Sequence, residues 1–201
     1  MITAKVPDIN WHHTGAILTG GRSSRMGKDK AGIMLRDGRT MIEYVYDALA
    51  SVCRQVVLAG HSMGLPDRMK DITIVQDRWK DSGPLAGMEA LLSTGMDNEY
   101  LVAACDLPFI NTELLKLLLS DTVSPPVIFK PVGDAHAVPL VLRITVQEYD
   151  EVLKALTSRR LRINDLMLAL HPSIITVPPE LSSCLKNVNT PEELNTINRA
   201  G

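Results

Sequence analysis

Short apolar runs alternate with segments of helical period along the first 120 residues of the chain. Residues 16–18, 56–59, 72–75 and 101–104 are brief and apolar, the pattern of strands buried on both faces of a parallel sheet. Between them, residues 40–52 place Ile42, Val45, Leu49 and Val52 on one helical face, and residues 85–92 and 114–119 make further apolar-faced helices. This alternation predicts an α/β fold: a Rossmann-like, mostly parallel sheet flanked by helices. Ligands of such sheets bind beyond the carboxyl ends of the strands, so the loops there are where chemistry is expected.

The pattern changes after Pro125. Residues 127–129 and 138–142 read as strands joined by the turn at 133–136, a small antiparallel excursion in the second half. Helical period resumes over 145–156, Asn164 is a candidate cap for a short helix ending near Leu170, and residues 174–177 form another strand. A final helix is expected to start at Thr190, where Thr190 and Glu193 fit a capping box and Pro191 occupies the first helical position, which needs no N–H donor.

With 201 residues, 45% of them hydrophobic and 22% charged, the chain is long enough to bury a substantial core, and a single domain over 1–201 is expected. The 21 basic and 23 acidic side chains leave a net charge of −2. Global charge therefore favours neither nucleic acid nor an anionic membrane, and any attractive field must be local. Cys53, Cys105 and Cys184 are odd in number and form no CxxC pair, which argues against a disulfide framework or zinc cage and for a reducing cytoplasm. The segment MITAKVPDINWHHTG lacks the apolar core of a signal peptide, and no apolar run approaches the roughly 20 residues that span a bilayer, so neither export nor a membrane span is expected.

The densest chemistry is LTGGRSSRMGKDK, residues 18–30, directly after the first strand. Paired glycines at Gly20 and Gly21 let backbone N–H groups approach anionic oxygens, and Arg25 and Lys30 supply charge for a pyrophosphate. The loop is not a Walker A motif, because five residues separate Gly21 from Gly27 and Lys28 is followed by Asp29. A solvated glycine-rich turn has a similar composition.

Two more loops follow apolar runs. In QDRWKDSGPLAG, residues 76–87, the carboxylate of Asp77 could accept from the N1–H and 2-amino donors of guanine, and backbone near Gly83 and Pro84 could read a base edge. The same segment also suits an ordinary helix start, capped by Asp81 or Ser82. In AACDLPF, Asp106 ends a strand where it would face the phosphates, and one carboxylate suffices for Mg²⁺ when water and phosphate oxygens complete the shell. The alternative is a turn-forming aspartate ahead of Pro108. Arg159, Arg160 and Arg162, with His136, could bind an acceptor phosphate or simply form a solvated basic face. His12 and His13 lack partners at metal-ligand spacing and are assigned no role.

Taken together, LTGGRSSRMGKDK, the GPLAG run preceded by Asp77, the CDLP element and NVNTPEEL at 187–194 resemble the signatures of the molybdenum cofactor guanylyltransferases, the MobA family. The resemblance implies a nucleotidyltransferase-type fold, with residues 14–120 binding nucleotide and 121–201 forming the acceptor side. It implies transfer of GMP from GTP to molybdopterin with release of pyrophosphate, and Mg²⁺ as the cofactor. Leu18, Thr19, Gly20, Gly21, Lys30, Asp77, Gly83, Pro84 and Asp106 would contact nucleotide. Arg25, Lys30 and Asp106 would act in catalysis, with Asp106 the metal ligand, and Asn187 and Asn189 would touch substrate. Molybdoenzymes or other cofactor-biosynthesis proteins would be its partners. Related cytidylyltransferases carry LAAG where this chain has LTGG, so Gly20 leans toward guanine. One departure is Ala59, where guanylyltransferases often have asparagine. The alternatives are a cytidylyltransferase or another nucleotidyltransferase of the same fold, and a non-catalytic nucleotide-binding module.

Overall fold

A computed structural model describes residues 12–19, 32–60, 65–120, 122–134, 136–190 and 193. In chain order these form β1 (Thr14–Thr19), α1 (Met41–Ala50), β2 (Gln55–Gly60), β3 (Ile74–Val75), α2 (Pro84–Ser93), β4 (Glu99–Ala104), α3 (Thr112–Leu118), β5 (Val127–Pro131), β6 (Val138–Thr145), α4 (Tyr149–Thr157), α5 (Ile163–Leu170), β7 (Ser173–Val177) and α6 (Pro179–Ser182). The strands make one seven-stranded sheet in the order β3-β2-β1-β4-β6-β5-β7. The pairings of β1 with β2 and β4, of β2 with β3 and of β5 with β7 are parallel, while β6 runs antiparallel to both of its neighbours.

Side chains alternate across the sheet, as the strand period requires. Ile17, Leu58, Leu101, Phe129 and Val141 face α1 and α3, whereas Ala16, Leu18, Val57, Ala59, Val102, Ile128 and Leu142 face α2, α4 and α5. The result is a sheet between two helical layers, each with its own core. Full burial of a side chain such as Leu49 or Leu91 stabilises by about 1.5–3 kcal/mol, and both are 0% exposed. α1 is set by local chemistry at its start: the Thr40 N–H and Oγ1 each donate to Glu43 Oε2 at 2.7 Å. Burial pushes the Glu43 carboxyl up, but these bonds and the guanidinium groups of Arg68 and Arg39 outweigh it, and the net shift is downward. α3 starts with the Leu114 N–H donating to Asn111 Oδ1 at 2.9 Å.

Several expectations are corrected in detail. The strand expected over 72–75 contributes only Ile74 and Val75 to the ladder, because the Ile72 N–H closes a turn on the Met69 carbonyl at 3.2 Å. Helical structure from residue 145 is split into a 3₁₀ turn, Val146–Glu148, and α4. Asn164 is not a cap: Arg162 holds that position, and Asn164 lies within the first turn of α5. The start is set two residues earlier because Ile163 joins Leu166 and Met167 against the core. The antiparallel excursion is present as expected, with β6 lying inside the sheet between β4 and β5. The short α6 was not anticipated. The final helix is described only at Thr190 and Glu193 and otherwise lies outside the described residues.

Candidate active site

From β1 the chain builds outward to β2 and β3, then returns to the other side of β1 to place β4. The gap between β1 and β4 is therefore the topological switch point, where open α/β sheets form their ligand crevice. β1 to β4 are mutually parallel, so their carboxyl ends share one edge of the sheet. Register aligns Val75, Ala59, Leu18 and Ala104 in a row across four strands. At 4.7–4.9 Å per strand that row is about 14 Å long. Each sequence-predicted loop emerges just beyond it: Asp77 after Val75, the glycine-rich loop after Thr19, and Asp106 after Ala104.

Asp106 is 7% exposed, and its neighbours are fixed by backbone bonds. The Cys105 N–H donates to the Leu18 carbonyl at 3.2 Å, extending the β1–β4 ladder to the base of the crevice. The Val188 N–H donates to the Asp106 carbonyl at 2.9 Å, bringing the C-terminal Asn187–Asn189 segment to the same aspartate. Val188 itself is 0% exposed and packs with Ile33 and Met41. Its flanking residues differ: Asn187 is exposed and Asn189 half-buried. The Asn189 and Thr190 N–H groups donate to Glu193 Oε2 at 2.6 and 3.2 Å, and the Glu193 N–H returns to Thr190 Oγ1 at 3.1 Å, the reciprocal pattern of a capping box. Thr19 Oγ1 is buried and has no hydrogen-bond partner among the described residues, leaving an acceptor and donor at the mouth of the crevice. Gly20, Gly21, Arg25 and Lys30 lie outside the described residues.

Close backbone approach shapes the other side of the crevice. Gly83 precedes α2 with φ +60°, the left-handed conformation that glycine adopts without a Cβ penalty, and Pro84 opens the helix. Neither Asp81 nor Ser82 is the cap, and the Ser82 hydroxyl donates instead to the Lys80 carbonyl at 3.2 Å. Four residues into α2, a Cβ on Gly87 would lie 2.8 Å from the Ala59 carbonyl oxygen, so the helix runs tight against the end of β2. Ala59 is 0% exposed beneath that contact and offers no side-chain hydrogen bond.

The basic residues divide. Arg159, after α4, reaches Ser82 Oγ with Nη1 at 3.5 Å and so borders the Gly83 loop. Arg160 and Arg162 are exposed, Arg160 lining a small hollow with Asp165 and Glu151. His136 is exposed in the β5–β6 turn. His13 Nδ1 lies 3.3 Å from Glu99 Oε1, at the opposite end of β4 from Asp106. Among the described residues no group of three or more His, Cys, Asp or Glu could hold a metal, so any cation here would rely on Asp106 and on oxygen ligands from substrate and water. That donor set, one buried carboxylate at the crevice with substrate and water oxygens completing the shell, fits Mg²⁺.

Sequence reasoning missed an ion pair behind this edge, between the buried Glu89 of α2 and the exposed Arg78. The signal was a lone charge in the apolar run LAGMEALL. It also missed Val188, whose packing links segments far apart in sequence.

The model of the family described as MobA-like NTP transferase domain matches residues 15–171. The molybdenum cofactor guanylyltransferase of Xanthomonas euvesicatoria is 32% identical, the alignment covering 90% of this chain and 91% of that protein. The molybdenum cofactor guanylyltransferase of Desulfosudis oleivorans is 29% identical, with 90% and 92% covered. Among solved structures, molybdopterin-guanine dinucleotide biosynthesis protein A from Archaeoglobus fulgidus superposes with a TM-score of 0.72 at 22% identity, covering 93% of this chain and 97% of that one.

Proposed function

Because the chain belongs to the MobA-like NTP transferase family, we propose that it is a molybdenum cofactor guanylyltransferase that transfers GMP from GTP to molybdopterin. The observation that carries this reading is the convergence at the switch point: Asp106, the start of the glycine-rich loop and the Asn187–Asn189 segment meet at the carboxyl ends of β1 and β4. One sheet running from Thr14 to Val177 supports a single domain, with the acceptor side built on its second half.

In the reaction, an oxygen of molybdopterin's terminal phosphate attacks the α-phosphorus of GTP. A new P–O bond forms, the bond to the β-phosphate oxygen breaks, and pyrophosphate leaves with the electron pair. The attacking phosphate is ionised near neutral pH, so positioning and charge stabilisation are the protein's contribution. Asp77 and the Gly83–Pro84 backbone hold the base, while Leu18, Thr19, Gly20 and Gly21 line the phosphates. Arg25 and Lys30 neutralise the departing pyrophosphate, Asn187 and Asn189 contact substrate, and Asp106 would hold Mg²⁺. When bound, the metal would offset negative charge on phosphate oxygens. The three cysteines are buried and in no disulfide, which suits the reducing cytoplasm as its location. No helix among the described residues is long and apolar enough to cross a membrane.

Thermal stabilisation by GTP, CTP, ATP and UTP with Mg²⁺ tests the reading, since a ligand that binds the folded state raises the melting temperature. GTP is expected to stabilise selectively, Asp106→Ala to lose most of that effect, and pyrophosphate release to require molybdopterin. Ala59 removes a side-chain contact at the base end and makes CTP the informative competitor. Selective stabilisation by CTP would move the assignment to a cytidylyltransferase; nucleotide binding without pyrophosphate release would make the chain a binding module.

A further inference from the structure

α2 is apolar and buried along most of its length, yet it carries Glu89, which is 1% exposed. A buried carboxylate is destabilising unless a charge and hydrogen bonds compensate it, and an apolar residue of similar volume would fill the site at less cost. The compensation is specific. Glu89 Oε1 accepts from Arg78 Nη2 at 2.7 Å and from Tyr149 Oη at 3.1 Å, while Oε2 is buried with no hydrogen-bond partner among the described residues. The bond to Glu89 raises the pKa of the Tyr149 hydroxyl, keeping it a donor.

The two donors come from different parts of the molecule. Arg78 directly follows Asp77 in the loop between β3 and α2, and Trp79 beside it packs on the core shared by α2 and α4. Tyr149 is the first residue of α4. The Arg78 side chain is 68% exposed, so little but its bond to Glu89 fixes it. We propose that Glu89 is a positioning residue of the nucleotide site: one carboxylate oxygen clamps Arg78 and Tyr149, which fixes the 76–83 loop on α2 and ties it to α4. Asp77 is thereby held at a set distance from Gly83, so the clamp governs affinity for the base more than the rate of the chemical step. This rests on the reading of that loop as the base-binding element.

The test uses Arg78→Ala, Arg78→Lys and Glu89→Gln in the full chain. Arg78→Ala leaves the buried Glu89 carboxylate without its compensating charge and is expected to lower the melting temperature, whereas Arg78→Ala with Glu89→Gln leaves no buried charge unpaired and should recover most of that loss. Its KM for GTP is expected to rise about tenfold with kcat changed less than twofold, as loss of a charge-assisted bond predicts. Arg78→Lys should recover part of the loss, and Arg78→Ala with Glu89→Gln should be no worse than the more affected single variant. A second arm needs no nucleotide. With Trp11→Phe, Trp79 is the only tryptophan, and acrylamide quenching of its fluorescence should increase in Arg78→Ala and in Glu89→Gln. Unchanged quenching, or a KM effect in the double variant equal to the product of the single effects, would overturn the clamp. If the parent protein takes no GTP, the guanylyltransferase reading fails, and the quenching arm still decides whether Glu89 orders this loop.

Discussion

Gly60 ends β2 with φ +118°, and a Cβ there would lie 1.7 Å from the Thr19 carbonyl oxygen. The obstructing atom is backbone, so no rotamer relieves it; the ends of β1 and β2 must separate at the point where the glycine-rich loop begins. Gly60→Ala is expected to destabilise the protein by about 2–4 kcal/mol, read as a lower urea midpoint, and an unchanged midpoint would show that the two strand ends do not approach this closely. Cys53, against Gly15, is governed by solvation. Burial pushes its thiol from an ordinary 9.0 up to about 12, and the negative charge of Asp97 acts in the same direction. The folded pKa lies above the unfolded one, so this contribution is complete below pH 9 and is lost as pH rises from 9 toward 12, at about 1.4 kcal/mol per pH unit. The urea midpoint should therefore fall more steeply above pH 9 in the parent than in Cys53→Ala; parallel curves would remove the assignment.

The C-terminal segment shows how an element acquires a place far from its neighbours in sequence. Its capping box, Thr190 with Glu193, is local and was legible from residue types alone. The anchor is not local: Val188 fills a small core with Ile33 and Met41 while its N–H reaches the Asp106 carbonyl. Val188→Ala should cost on the order of 2 kcal/mol through the cavity it leaves. It should also speed amide exchange at residues 187–190 and weaken the acceptor more than GTP, because the segment would lose its register on Asp106. Equal loss for both substrates would detach Asn187 and Asn189 from the acceptor. The same division between local and remote causes explains what the sequence disclosed. Each β1–β4 strand and α1–α3 was visible because its apolar period is set by residues within one turn or one pleat. α6 has only four residues, too few for a period to register. Asn164 misled because it is a good capping type placed where the half-buried Ile163 has already started the helix. Glu89 is a lone charge in an apolar run, a signal that went unread because its partners Arg78 and Tyr149 lie 11 and 60 residues away.

At the scale of the whole molecule, the parallel first half and the switch point follow from strand–helix alternation, since successive parallel strands need crossovers and the reversal of order makes the crevice. The position of β6 does not follow. Antiparallel pairing with β5 was legible from the intervening turn, but insertion between β4 and β5 depends on which edge is left most exposed by the first half. That edge is β4, whose Tyr100, Leu101, Val102 and Ala103 are each 0% exposed in the assembled sheet and pair with Ile144, Arg143, Leu142 and Val141. The first half of the sheet is thus completed by the second. α2, which opens at the Gly83 loop, likewise packs on α4, to which Glu89 is bonded through Tyr149. A chain cut after residue 124 would retain every proposed nucleotide contact, yet would expose an apolar edge strand and one face of α2. Such an edge is a template for association. The fragment is expected to be aggregated or to lack a cooperative thermal transition, with GTP giving no stabilisation, and adding residues 125–201 as a separate chain should restore solubility if the β4–β6 pairing is the cause. A soluble 1–124 fragment that melts cooperatively and binds GTP would instead make the first half an autonomous nucleotide-binding domain, with the second half an attachment that only selects the acceptor.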